Sequence, residues 1–165
     1  MHKLFLPAQA VGASLVYFDL FVPATIGYRD LKIFSIVPVV SGAVAVTGVV
    51  AVDLFLTRTS AVGTGGTAAT AEGTDLAAAT FTAVDNSQPI ILSQLSARLT
   101  PTGGATAGAI LAYRSLFSEE TNAGTYTQVN LVSSQVLVRP GTGIRVVQGS
   151  VASVGNIGFD VLFSV

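Results

Sequence analysis

The sequence predicts an all-β chain, a sandwich or barrel of about eight to nine short strands, on three observations. Val, Ile, Thr, Phe and Tyr crowd the apolar segments, and such branched or aromatic side chains suit a pleated surface better than a helix. Clusters of Gly, Pro and Asn interrupt those segments at strand-length intervals. In the stretch 50–57, Val50, Val52, Leu54 and Leu56 share one face, while Ala51, Asp53, Phe55 and Thr57 share the other. That period of two is the signature of a strand.

The first residues faintly imitate a secretory leader with an Ala-x-Ala end, but the apolar run 4–6 is shorter than the roughly 7–15 residues a leader needs. Residues 1–12 are therefore expected as an N-terminal arm. A strand follows at 14–21, stopped by Pro23, and 25–30 is a turn-bearing connection. No charge lies between Lys32 and Asp53, a length that would suit a membrane-spanning helix. The branched residues there, with Pro38, Gly42 and Gly48 as punctuation, favour strands near 31–37, 43–47 and 49–57 instead.

Residues 58–78 form a long, low-complexity loop. Its Gly63, Thr64, Gly65 and Gly66 lack the lysine and the following helix of a phosphate-binding loop. Further strands are expected at 78–84, 90–100, 109–117 and 126–131, separated by turn clusters at 85–89, 101–104 and 118–124, although the apolar spacing of 90–100 also fits a short helix and 109–117 has some helical character. Two strands flank the turn 140–143, and a last one runs from 156 to 165, all within a single domain over 1–165.

Half of the residues are hydrophobic and only 10% are charged, against about 25% in ordinary soluble domains. A surface so poor in charge is expected to be covered by other subunits. The net charge is −1 and the eight basic residues are scattered, which argues against nucleic-acid binding. Without cysteine there is no disulfide, no thiolate metal site and no thiol catalysis.

Candidate chemistry is sparse. His2 is the sole histidine and reads as a solvated terminal residue. Glu119 and Glu120 are adjacent, so their side chains diverge rather than form a catalytic pair. Asp19, Asp53 and Asp160 interrupt apolar strands and are expected either to face solvent or to pair with an arginine across a sheet or a subunit interface. Calcium-loop spacing is missing. Tyr17, Tyr28, Tyr113 and Tyr126 are spread along the chain and Trp is absent, so these tyrosines are read as core or interface residues rather than sugar platforms. No catalytic, cofactor-binding or metal-binding residue is assigned.

The segments Arg29–Phe34, Val52–Arg58 leading into Thr64–Ala68, and Arg139–Val146 before the closing strand 155–165 together resemble a group of tailed-bacteriophage virion proteins with a jelly-roll-like β-sandwich. The resemblance implies a non-enzymatic protein that decorates or cements a capsid, or serves in a fibre base, tail or neck. It also implies a homotrimer bound to the major capsid protein on the virion surface, made in the host cytoplasm, with no cofactor, nucleic acid, membrane or small-molecule substrate. A receptor- or glycan-binding module is the second reading, and a carboxylate hydrolase the third.

Overall fold

The structure, a computed structural model, describes residues 2–25, 29–41, 50–69, 80–83, 95–104, 107–118, 129–151 and 155–164. Within them lie eleven strands and no helix: β1 (His2–Ala10), β2 (Val16–Val22), β3 (Leu31–Ser41), β4 (Val50–Thr59), β5 (Thr67–Ala69), β6 (Thr80–Ala83), β7 (Ser96–Leu99), β8 (Ala107–Ser118), β9 (Val136–Val138), β10 (Thr142–Gln148) and β11 (Asn156–Ser164). They form two antiparallel sheets, ordered β6-β1-β11-β3-β9 and β5-β7-β2-β10-β4-β8. With β5, β6 and β7 set aside, the sheets read β1-β11-β3-β9 and β2-β10-β4-β8. The chain thus crosses from one sheet to the other between β1, β2, β3 and β4, and again between β8, β9, β10 and β11. That is the strand order of a jelly roll. The three remaining strands are an insertion between β4 and β8. They lengthen the first sheet beyond β1 and the second beyond β2.

Alternation along the strands builds the core. Leu4 and Leu6 of β1, Ile33 and Ile36 of β3, and Ile157, Phe159, Val161 and Phe163 of β11 face inward from the first sheet. Phe18, Leu20, Leu54, Leu56, Ile144 and Val146 meet them from the second. The Phe159 ring lies 5.3 Å from that of Tyr17 and 5.2 Å from that of Phe18, the latter edge to face, so β11 and β2 interlock at the centre.

Several expectations change. The first residues are no arm: β1 is paired on both sides, with β11 and β6, because Leu4 and Leu6 supply core-facing side chains. Pro38 does not end a strand but lies inside β3, opposite Phe159. Among the described residues β9 pairs only with residues 31–33, so at Pro38 that flank of β3 is an edge, where a missing N–H costs no ladder bond. Between that pairing and Pro38, on the same flank, the Asn130 side chain stands in for a strand: its Oδ1 accepts from Ile36 N at 3.0 Å and Val132 N at 3.0 Å, while Leu131 N donates to Ile36 O at 2.8 Å. Residues 129–131 are therefore edge-capping backbone rather than strand. Of the expected loop 58–78, residues 58–59 end β4 and 67–69 form β5; 70–78 lie outside the described residues, as do the expected strand 43–47 and the start of 90–100. No helix among the described residues is long and apolar enough to cross a membrane, and residues 33–41 and 50–52 of the uncharged stretch lie in the strands β3 and β4.

One buried amide ties both ends of the jelly roll together. Gln148, at the end of β10, accepts from the Tyr17 hydroxyl at 2.7 Å and from Gly12 N at 2.9 Å, and its Nε2 donates to Val151 O at 3.0 Å. It thereby joins the β1–β2 corner to the β10–β11 corner. Burial also pushes the Tyr17 phenol above its usual pKa, so it stays a hydrogen-bond donor. Replacing Gln148 by Ala leaves the Tyr17 hydroxyl and the Gly12 amide without their acceptor. The expected loss is about 3 kcal/mol in urea unfolding, and a loss under about 0.5 kcal/mol would show that the amide does not tie the corners.

Candidate functional site

The outer face of the second sheet carries a row of polar side chains set by register. Thr57 of β4 lies opposite Arg145 of β10, Arg145 opposite Asp19 of β2, and Asp19 opposite Arg98 of β7. Asp19 is only 1% exposed, because residues 60–66 cross this face as a strap. Its Oδ2 accepts from Gly63 N at 2.7 Å, while its Oδ1 has no hydrogen-bond partner. Arg98 Nη1 donates to Gly65 O at 3.0 Å, and Thr64 N donates to Gly103 O at 2.7 Å, which pins the strap on both flanks. A Cβ at Gly63 would sit 2.8 Å from Asp19 Oδ2 and 2.9 Å from Pro101 Cβ, so only glycine lets the strap close on the carboxylate. Burial pushes the Asp19 carboxyl up to about 6; the Gly63 bond and the charges of Arg145 and Arg98 oppose that rise without cancelling it. The site is closed to solvent, and its geometry is that of a pin between strap and sheet.

A second constellation lies at the other side of the same face. Asp53 and Phe55 of β4 stand opposite Ser115 and Tyr113 of β8. Ser115 Oγ and the Tyr113 hydroxyl both lie within hydrogen-bonding distance of Asp53 Oδ1, at 2.6 and 3.0 Å, and are 3.0 Å from each other. The Tyr113 ring rests 4.9 Å from that of Phe55 and is 48% exposed. On the first sheet, Lys3 Nζ pairs with Asp160 Oδ2 at 2.9 Å beside a groove of about 250 Å³ lined also by Ser35, Val37 and Leu162.

The three aspartates of the apolar strands thus find three different partners. Asp19 has arginines across the sheet on both sides, Asp160 has a lysine instead, and Asp53 has two hydroxyls. His2 begins β1, opposite Phe163 and Ala83. Tyr17 is a core residue, as expected, whereas Tyr113 stands half exposed. Gly63 donates to a carboxylate of its own chain rather than to a phosphate. Glu119, Glu120, Tyr28 and Tyr126 lie outside the described residues. No group of three or more His, Cys, Asp or Glu that could hold a metal occurs among the described residues. Ser115 and Phe55 were not visible as site residues, because only the β4–β8 register places them beside Asp53 and Tyr113.

Compared with models of known families, with curated proteins and with solved structures, the chain matches none.

The raised pKa of Asp19 fixes a sign. A carboxyl at about 6 when folded and near its ordinary 3.8 when unfolded adds stability that is complete below 3.8 and is lost as pH rises through about 6. Asp19→Asn removes this titration while keeping an acceptor for Gly63 N. Unfolding by urea between pH 4 and 7.5 is expected to show the wild type losing up to about 3 kcal/mol relative to Asp19→Asn over that span. Parallel pH profiles for the two proteins would contradict the assignment.

Proposed function

We propose that this chain is a non-enzymatic structural protein of a tailed-phage virion, one that decorates or reinforces the capsid by associating with its own copies, as a trimer, and with the major capsid protein. The supporting observation is the unequal treatment of the four sheet edges among the described residues. β5 and β9 are three residues long and β6 is four, whereas β8 offers an edge of twelve residues. Short edges resist joining other chains, and a long apolar edge invites it. Within β8 the only charge is Arg114, and Ile110 is 62% exposed with Leu111 exposed beside it. Register shifts at Leu56/Thr57 and Thr57/Thr59 mark bulges that bend the strand where Ile110 and Leu111 are exposed. Phe5 and Leu137 add exposed apolar area on the first sheet.

The jelly-roll strand order and the sequence resemblance favour the same reading, since shells are commonly built and dressed with such sandwiches. Fold alone does not decide function, so the weight rests on β8. A ring in which each copy covers the next copy's β8 is a closed, head-to-tail assembly. Small contacts then add over many copies on a particle.

Ile110→Lys places a charge in the middle of the exposed stretch. Sedimentation velocity is expected to show the wild type as an oligomer and Ile110→Lys weakened by at least about tenfold in association, since an unpaired buried charge is costly. Cryo-EM of capsids of the same phage with and without added protein locates the partner. Extra density on the capsid surface is the expected result; density confined to the tail or neck, or a wild type that stays monomeric and unattached, would overturn the reading.

A further inference from the structure

We infer that the outer face of β4 and β8 around Tyr113 is a binding site for a neutral pyranoside, with the Tyr113 ring as platform and Asp53 Oδ2 as hydroxyl acceptor. This does not rest on the capsid reading. Association is proposed along β8 around Ile110 and Leu111, while this site is built from Asp53, Phe55, Tyr113 and Ser115.

Four features converge. The Tyr113 ring is half exposed, and Phe55, 4.9 Å away and tilted by 34°, braces it. An aromatic face carries negative potential, which attracts the C–H face of a sugar ring. Both hydrogen bonds to the Asp53 carboxylate fall on Oδ1, from Ser115 Oγ at 2.6 Å and the Tyr113 hydroxyl at 3.0 Å. They fix the carboxylate's orientation and leave Oδ2 to accept a ligand hydroxyl, a charge-assisted and therefore strong bond. The fourth feature is a close approach of backbone. Residue 149 is glycine, and a Cβ there would lie 3.1 Å from Asp53 Cβ, 3.4 Å from Phe55 Cε2 and 3.7 Å from Asp53 Oδ2. The missing side chain lets this backbone pack closely against Asp53 and Phe55 and hold both in place. All of these groups stand on paired strands or, at Gly149, on backbone whose N donates to Asp53 O at 2.8 Å, so the arrangement is already in place before a ligand arrives.

A quaternary ammonium would also be drawn to a ring and a carboxylate, but cation recognition by aromatic side chains favours a cage with several walls. Here one open ring face lies beside a row of oxygens from Asp53, Tyr113 and Ser115, which matches a molecule with one apolar face and a fringe of hydroxyls.

The test is saturation-transfer NMR on the full chain with methyl glucoside, galactoside and mannoside, and with choline as the competing chemistry. At least one pyranoside is expected to bind. Tyr113→Ala is expected to weaken it about tenfold, and Gly149→Ala, whose methyl group would press on Asp53 Cβ and Phe55 and displace them, is expected to weaken it as well. Ile110→Lys, which tests association, is expected to leave it unchanged. Absence of transfer from all three sugars, binding that survives both Tyr113→Ala and Gly149→Ala, or binding of choline in their place would overturn the inference.

Discussion

Phe159 is the point on which both sheets close. It stands on β11, the strand between β1 and β3, and its ring packs against Tyr17 and Phe18 of β2 in the opposite sheet. A strand near the end of the sequence is therefore clamped between two from near its beginning, β1 and β3. Most contacts are consequently between residues far apart in sequence, so the core cannot form piecemeal. Gln148 performs the polar counterpart at the end of the sandwich. Its carbonyl takes the one hydroxyl that Tyr17 brings into the interior, and without that acceptor the ring could not be buried there cheaply.

The scarcity of charge takes on meaning in this frame. Of the few ionisable groups, Asp19 is enclosed beneath the strap, Arg98 is bound to the strap's backbone, and Lys3 and Asp160 neutralise each other. Arg58 reaches from β4 to the carbonyl of Leu137 on β9, tying the two sheets along one margin. Its own burial, with the Arg139 charge nearby, lowers its pKa. Charges used in this way hold the molecule together and leave less to keep copies apart. The apolar rim of β8 lies where little opposes contact.

Much of the architecture was legible from residue order. The alternation at Val50–Thr57 located β4, and the branched and aromatic residues of β11 located the closing strand, because in both cases one face is buried and the other is not. β1 was missed because its core-facing positions, Leu4 and Leu6, are only two, with Pro7 just beyond. Pro38 was misread for a different reason: its tolerance depends on β9 stopping short, a fact of pairing rather than of local sequence. The sites were harder still. Asp19 gained its strap from a glycine 44 positions away, and Asp53 its partners from 60 and 62 positions away. Nothing local specifies such distances; register does.

Hydrogen–deuterium exchange across β8 tests most directly the claim that its rim is covered by a neighbouring copy. In dilute solution the outward amides of residues 107–118 have no partner strand among the described residues and should exchange quickly, while β10 and β11, central in their sheets, stay protected. Raising the concentration until the protein associates is expected to slow exchange in 107–118 selectively. Unchanged exchange there, with protection arising elsewhere or not at all, would contradict the account.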